Sequence, residues 1–371
     1  MEEEKFGNPF RGIWIPKNPQ ELLDIAFRRA TRISAPSKQK MSAIKRKKSL
    51  AITRIRALFT ELSERLWKIV RSFPNLDELH PFYASVMEIY CKKDDVKIAL
   101  AKIKSSALLI ERLGKEYIIK IKAVRKEDEL TPTAKILREI DKLRVEAYGR
   151  ISSVVKKLKK EFSMLNDLVR KLAKLPDFDP RLPILVVAGP TNAGKSTFVK
   201  TVSNAKVEVA NYPFTTKNVT FGVMKWKLNP ALDAYLQVVD TPGLLDRPLE
   251  KRKPEEKLAL KALQTLPNAV LFLFDGSTDA VCSAKEQINI FNTVTSFFDM
   301  SKIKLFVAIN KIDIVDKEIL EEILHFVSKN GIRAYKMSLI TKEGVNELLE
   351  DIKKEMAEVY LRYLRENKVS E

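Results

Sequence analysis

Cysteine and histidine are almost absent from this 371-residue chain, which has two of each. Cys91 and Cys282 are too few for a disulfide framework, and adding His80 and His325 does not make a cysteine/histidine zinc site. The most apolar stretches run only about six to eight residues, far short of the roughly 18 that a membrane span needs. The opening residues lack the pattern of a secretory signal. We therefore expect a soluble, cytoplasmic protein with no membrane partner.

Positive charge is unevenly distributed along the chain. The formal net charge is +19, and +16 of it falls on residues 1–180, which hold 40 lysines and arginines against 24 acidic residues. Such asymmetry favours a polyanionic partner. Nucleic acid is favoured over membrane because the basic residues alternate with helix-forming apolar ones. The alternative is that the lysine-rich helices serve only solubility, as in thermophilic proteins.

The first half of the chain predicts an all-α helical bundle, because apolar residues recur there every three or four positions. The longest pattern runs from Thr131 to Leu172 and predicts one helix about 60 Å long, with Gly149 as a candidate bend. A stripe of that length needs partner helices. One more helix is expected to begin near residue 18, and three others are expected to cover 44–73, 76–90 and 93–113. Basic residues expected on the outside include Arg28, Arg29, Arg32, Lys45, Arg46, Lys47 and Lys48.

A proline-rich break, "KLPDFDPRLP" at residues 174–183, ends the helical pattern. Beyond it, apolar strands alternate with helices at the spacing of a doubly wound, mostly parallel α/β sheet. The sequence thus predicts a basic helical domain over residues 1–175 and an α/β domain over 181–371 that ends in a helix. Strands are expected at 184–188, 219–227, 234–239, 269–275, 303–309 and 333–338, and helices near 195–204, 254–265, 283–298, 316–329 and 344–367.

The segment "GPTNAGKS", residues 189–196, follows the first of these strands and opens a helix, which is the setting of a P-loop. Amides that converge at a helix N-terminus bind phosphate. Lys195 is expected to bridge phosphate oxygens, and the Ser196 hydroxyl is expected to bind Mg²⁺. The expected phosphate-binding residues are Gly189, Asn192, Ala193, Gly194, Lys195, Ser196 and Thr197.

Two later motifs specify the nucleotide. "DTPG" begins 45 residues after Lys195, so that Asp240 can reach Mg²⁺ through a water and the Gly243 amide can reach the γ-phosphate. "NKID" ends a further strand, where Asp313 offers two carboxylate oxygens to the N–H donors of guanine. Asn310 and Lys311 support the base. Adenine cannot match this arrangement, and leaving the buried carboxylate unpaired costs roughly 1–3 kcal/mol or more, which is the source of discrimination. The α/β domain is therefore predicted to be a P-loop GTPase domain that binds GTP or GDP.

The segments "NYPFTTKNV" (211–219), "DTPGLLDRPLE" (240–250) and "PQELLDIAFRRATR" near the start resemble the Nog family of Obg-type GTPases, most closely its archaeal form. The resemblance implies a GTPase switch in large ribosomal subunit assembly that binds rRNA through its helical domain. It places Thr216, in preference to Thr215, on Mg²⁺ and the γ-phosphate. Ser338 and Leu339 then form the loop that supports the base. A nucleolar location is implied only for a eukaryote.

Leu244 stands where many Ras-type GTPases carry a water-orienting glutamine. Asn192 matches an asparagine that holds K⁺ beside the phosphates in potassium-dependent relatives, where the ion supplies positive charge. The resemblance thus implies slow intrinsic hydrolysis that K⁺ and the ribosomal particle stimulate. The expected catalytic residues are Lys195, Thr216, Gly243 and Asn192, and the expected metal ligands are Ser196, Thr216 and Asp240.

Two other functions stay open from the sequence. One is a binding module that holds GTP without hydrolysing it. The other is a GTPase whose helical domain contacts a membrane surface or a tethering protein, which the lack of a lipidation motif disfavours. We expect a monomer.

Overall fold

A computed structural model describes residues 7–34, 41–125, 132–175, 179, 182–203, 208–211, 218–240 and 264–368. The chain divides into two compact units. The helical unit consists of Pro9–Asp77 and Cys91–Arg170, and the sheet unit consists of Met1–Asn8, Glu78–Tyr90 and Lys171–Glu371. The predicted domains follow the chain linearly, whereas the sheet unit also takes in residues 78–90.

The helical unit is built from long amphipathic helices. Asn18 caps the first of them, since its side chain accepts a hydrogen bond from the Glu21 amide, and Pro19 occupies the first turn. Leu62, Ile110 and Ile151, from three different helices, are fully buried between them. The helices are α1 (Pro19–Thr31), α2 (Ala43–Ser72), α4 (Lys93–Ala123), α5 (Thr133–Lys156) and α6 (Lys159–Leu172), while α3 (Pro81–Tyr90) belongs to the sheet unit.

The prediction of one helix from Thr131 to Leu172 is wrong. The structure has α5 and α6, separated at Lys157 and Leu158, and α5 continues through Gly149. The apolar pattern did not reveal the break because burial keeps its period across it: Val155, Leu158 and Phe162 are all fully buried. Hydrogen bonds also continue through the break, from the Leu158 amide to Val155 O and from the Phe162 amide to Leu158 O.

The sheet unit contains a seven-stranded sheet in the order β2-β3-β4-β1-β5-β6-β7. The pairs β1–β4, β1–β5, β5–β6 and β6–β7 are parallel, and β2–β3 and β3–β4 are antiparallel. Both the doubly wound, mostly parallel sheet and the preceding helical domain are therefore confirmed. The strands are β1 (Ile184–Ala188), β2 (Glu208–Asn211), β3 (Asn218–Asn229), β4 (Leu232–Asp240), β5 (Ala269–Asp275), β6 (Lys304–Asn310) and β7 (Ala334–Lys336).

Helices cover both faces of this sheet. On one face, Phe198 and Ile352 join a buried cluster with Val187, Leu236 and Leu271 of the strands. On the other face the core is aromatic, with the Phe291 ring 5.1 Å from that of Phe272 and 5.6 Å from that of Phe326. The helices are α7 (Lys195–Val202), α8 (Ala284–Phe297), α9 (Lys317–Lys329) and α10 (Val345–Lys368). The helix predicted near 254–265 lies almost wholly outside the described residues.

Of the helices that the structure describes, none combines the length and the apolar composition that a membrane span requires.

Candidate nucleotide-binding site

The loop between β1 and α7 has a backbone that few side chains permit. Gly189, Asn192 and Gly194 have φ of 146°, 67° and 99°. A Cβ at Gly189 would lie 2.3 Å from the carbonyl oxygen of Leu273, so only glycine fits there. Left-handed residues within a loop at a helix N-terminus turn successive amides into one concavity, which is the geometry that binds phosphate.

Lys195 is the first residue of α7, and its side chain folds back over this loop. Its ammonium donates to the carbonyl oxygens of Gly189, at 3.0 Å, and Pro190, at 2.6 Å. The residue is only 8 % exposed. A buried positive charge is therefore fixed at the mouth of the loop, where a polyphosphate would be neutralised.

Ser196 and Asp240 bring two oxygen ligands together from different elements. The Ser196 hydroxyl donates to the Asp240 carboxylate, which is fully buried at the end of β4. Hydroxyl and carboxylate oxygens are the ligands that Mg²⁺ prefers, and this ion commonly takes few protein ligands beside a nucleotide. No group of three or more histidine, cysteine, aspartate or glutamate side chains that could hold a metal occurs in the described part of the chain. The pair thus fits an ion that shares its coordination with phosphate oxygens.

Asn310, at the end of β6, ties two loops together. Its side-chain nitrogen donates to Ala193 O at 2.9 Å, and its side-chain oxygen accepts from the Leu339 amide at 3.2 Å. It is 2 % exposed, and a Cβ on Gly194 would come within 2.4 Å of its nitrogen. Asn310 therefore fixes the P-loop against the loop that follows β7.

Asp313 lies in a short 3₁₀ helix, Ile312–Ile314, directly after β6, and its side chain is exposed. Lys311 precedes it with a left-handed backbone, φ 65°. The Lys311 ammonium lies 2.6 Å from Oδ2 of Asp275, which is 1 % exposed. The carboxylate of Asp313 is thus presented to solvent from a loop that a buried ion pair anchors.

The sequence analysis missed Asp275 and two residues that support it. The backbone amide and the hydroxyl of Ser277 donate to Oδ1 of Asp275 at 3.1 and 2.6 Å. The fully buried Gln287 accepts from the Asp275 amide and donates to the Asp275 carbonyl, both at 2.9 Å. The polar run "DGS" after an apolar strand was the available signal for Asp275 and Ser277. No signal in the sequence distinguished Gln287.

Ser338 is also completely buried, in the loop after β7. Its hydroxyl accepts from the amides of Ile340 and Thr341, at 3.3 and 3.2 Å, so it shapes the loop from inside. Leu339 is 7 % exposed and contributes its amide to the Asn310 contact.

The remaining predicted residues lie outside this network. Asn192 and Thr197 are exposed on the P-loop and on the first turn of α7. Thr216 and Gly243 lie outside the described residues, as do Thr215 and Leu244. The structure therefore brings together the P-loop, Ser196 and Asp240, and links the P-loop to the loops that carry Asp313 and Leu339.

A P-loop at the end of β1, a serine–aspartate pair between α7 and β4, and an Asn-Lys-x-Asp loop after β6 together define a P-loop GTPase domain. Residues 184–311 match the family described as "50S ribosome-binding GTPase", and residues 10–179 match the "NOG1 N-terminal helical domain". The chain belongs to the Nog family of GTP-binding proteins.

Several proteins of known sequence are similar to this chain over most of its length. An uncharacterized protein of Methanocaldococcus jannaschii is 34 % identical over 312 residues, which cover 84 % of this chain and 83 % of that protein. Nucleolar GTP-binding protein 1 of Caenorhabditis elegans is 32 % identical over 91 % of this chain and 47 % of its own length. The Drosophila melanogaster protein of the same name is 33 % identical over 87 % of this chain and 48 % of its own. The chain thus spans about half the length of these animal relatives.

Among solved structures, a Plasmodium falciparum chain assigned as nucleolar GTP-binding protein 1 is 28 % identical. It covers 53 % of this chain and 97 % of its own, with a TM-score of 0.42.

Proposed function

We propose that this chain binds GTP together with Mg²⁺, hydrolyses it to GDP and phosphate, and uses the cycle as a switch in large ribosomal subunit assembly. The observation that carries the proposal is the Asn310 side chain, which joins the P-loop at Ala193 to the base-supporting loop at Leu339. One nucleotide can then contact the P-loop, the Asn-Lys-x-Asp loop and the loop after β7.

In this proposal the protein supplies position and charge, with no covalent intermediate. Lys195 neutralises phosphate charge at the mouth of the loop. Ser196, Asp240 and Thr216 hold Mg²⁺, which when bound stabilises negative charge on the phosphate oxygens. The Gly243 amide meets the γ-phosphate, and Asp313 recognises guanine.

The guanine assignment is tested by Asp313→Asn. An amide offers one acceptor and two donors where the carboxylate offers only acceptors, so the N–H donors of guanine lose a partner. We expect GDP affinity to fall by roughly 10- to 100-fold, in line with about 1–3 kcal/mol for a polar group that is mismatched against the bound base. Xanthosine diphosphate, which presents a carbonyl at the 2-position, should gain affinity. Calorimetry with both nucleotides measures this, and equal loss for both would contradict the assignment of Asp313.

Hydrolysis is proposed to be slow alone and faster with K⁺ and with the ribosomal particle. Leu244 has no group to orient the attacking water. In this proposal a K⁺ ion beside the phosphates supplies positive charge that speeds hydrolysis. The Asn192 side chain, which would hold the ion, is exposed on the P-loop. Turnover measured in KCl and in NaCl at equal ionic strength tests the role of the ion. Equal rates would exclude it.

The proposed partner is the precursor of the large ribosomal subunit, bound as a monomer in the cytoplasm through rRNA contacts of the basic helical unit. The excess charge of +16 on residues 1–180 and the ribosome-binding description of the matched GTPase family support it. Co-sedimentation with large subunits in GTP, GDP and a non-hydrolysable analogue tests the partner and its dependence on nucleotide. Failure to co-sediment in every nucleotide state would exclude it.

A further inference from the structure

The helical unit carries an aromatic cleft on its surface that the nucleotide site does not use. It lies along α2, has a volume of about 350 Å³, and is lined by Glu64, Trp67, Lys68, Arg71 and Ser72. Trp67 is half-buried, so part of its ring faces the cleft. A cleft of this size accommodates a group such as a nucleobase.

Cations surround this tryptophan. The Arg71 guanidinium lies 5.5 Å from the centre of the Trp67 ring, and the Lys104 ammonium of α4 lies 6.0 Å from it. Lys68 is exposed on the rim, one helical turn from Arg71. Two positive charges therefore lie within about 6 Å of the Trp67 ring, and a third, Lys68, lines the same cleft.

Several other cations of the helical unit are in ion pairs. Lys102 pairs with Glu161, Lys47 with Asp141, and Arg29 and Arg65 with Glu61. Among the described residues, no carboxylate lies within ion-pair distance of Lys68, Arg71 or Lys104. Among the five lining residues, Glu64 is the one carboxylate, so the described residues of the cleft together with Lys104 carry a net positive charge that favours an anionic partner.

We propose that this Trp67 cleft binds an unpaired RNA nucleotide, whose base stacks on the Trp67 ring while Lys68, Arg71 and Lys104 contact flanking phosphates. A π-face bordered by cations is the combination by which proteins bind single-stranded nucleic acid. A double helix keeps its bases stacked and cannot offer one to the cleft. This inference rests on the proposed rRNA partner and specifies which kind of RNA the helical unit recognises.

Tryptophan fluorescence gives a direct test in the full chain. The chain has three tryptophans, and Trp14→Phe with Trp226→Phe leaves Trp67 as the only tryptophan, whose emission is excited selectively above the absorption of tyrosine. We expect a single-stranded oligoadenylate of about eight nucleotides to quench Trp67 emission, as stacking requires, and a duplex of equal length to leave it unchanged. Absence of quenching by single strands, or equal quenching by duplex, would overturn the proposal.

Affinity and its salt dependence separate stacking from charge. Trp67→Ala should weaken oligoadenylate binding about tenfold, equal to about 1.4 kcal/mol, without changing the salt slope, whereas Trp67→Phe should retain most of the affinity. Lys68→Ala with Arg71→Ala should lower the slope of log K against log salt by about 1.4, or 0.7 per phosphate contact. Lys97→Ala is the matched control, because that exposed α4 lysine already pairs with Asp77.

The outcomes distinguish this proposal from the ribosomal function. Large-subunit binding by the wild type with no oligoadenylate affinity would overturn the cleft and leave the proposed partner standing. Oligoadenylate binding through Trp67 without large-subunit binding would support the cleft and exclude the partner. A Trp67 emission change with ribosomal proteins but not with RNA would overturn the cleft as a nucleotide site.

Discussion

At the residue scale, Lys311 has a left-handed backbone, and its side chain pairs with a residue that is not part of any nucleotide motif. Asp275 pairs with its ammonium at 2.6 Å from a position that is 1 % exposed. The pair leaves the following residues, Ile312 to Ile314, in the short helix that presents Asp313. In the proposed function, the recognition of guanine by Asp313 would therefore depend on Asp275, a buried carboxylate that does not itself contact the base.

Asp275→Asn tests this dependence. The amide keeps the shape but removes the charge that faces Lys311, and we expect a loss of roughly 1–3 kcal/mol in the free energy of unfolding. GDP affinity should fall about tenfold as the Asp313 loop loses its anchor. Thermal unfolding and calorimetry with GDP measure the two effects. Asp299→Asn is the control, since its partner Lys302 is exposed. Equal GDP affinity in wild type and Asp275→Asn would show that the ion pair does not position the loop.

At the scale of elements, the basic run at residues 45–48 divides into two roles. Lys48 donates to the carbonyls of Lys122, at 3.1 Å, and Val124 at the C-terminus of α4, while Lys47 pairs with Asp141 of α5 at 2.5 Å. Lys45 and Arg46 are exposed. The sequence offered only a choice between a solvated face and an RNA contact for the whole run, whereas half of it fastens α2 to its neighbours.

Lys48→Ala should therefore destabilise the protein by roughly 0.5–2 kcal/mol, because α4 loses a cation at its C-terminal carbonyls. Lys45→Ala is matched in chemistry and helix and should change stability by less than about 0.5 kcal/mol. Chemical denaturation of the two variants gives the comparison. Similar losses in both would contradict the division of the run.

Acid should weaken the ion pairs that Asp77 makes with Lys93 and Lys97 in the helical unit. Hydrogen bonds from the Lys97 and Lys93 ammonium groups lower the pKa of Asp77 from 3.8 to about 2. Because the folded-state pKa is the lower one, the stabilisation is complete above about pH 4 and is lost as pH falls towards 2. Asp77→Asn should remove that part of the acid dependence and lower the melting temperature near neutral pH. Melting curves from pH 2 to 5 measure it, and parallel curves for the two proteins would contradict it.

The elements also show how far sequence reasoning reaches. Most strands were predictable as short apolar runs, and the P-loop was predictable because its motif follows the first of these runs and opens a helix. β2, only four residues from Glu208 to Asn211, was not, since so short a strand has no period of its own. The break after Lys156 left the apolar pattern intact. Asp275 stood in a visible polar run, but its pairing with Lys311, 36 positions away, is a contact that one sequence does not reveal, and Gln287 had no signal at all.

At the scale of the whole molecule, the proposed function gives ions two roles in different units. The proposed phosphate contacts of the helical unit would depend on the concentration of the salt, because binding to RNA releases a number of cations whatever their identity. The proposed K⁺ ion beside Asn192 in the sheet unit would depend on the radius of the cation and on its ligands. The two effects can therefore be separated in one protein by changing the identity of the salt and then its concentration.

We expect replacement of KCl by NaCl at constant ionic strength to lower GTP turnover and leave large-subunit binding unchanged. Raising either salt from 50 to 200 mM should reduce binding by about 10³- to 10⁵-fold if the helical unit makes about 6–10 phosphate contacts. Asn192→Ala should abolish the difference between the two salts in turnover without altering the binding slope. If the slope changed with Asn192, or if binding followed the identity of the cation, one site would have to serve both roles, and the assignment of charge to the helical unit and catalysis to the sheet unit would fail.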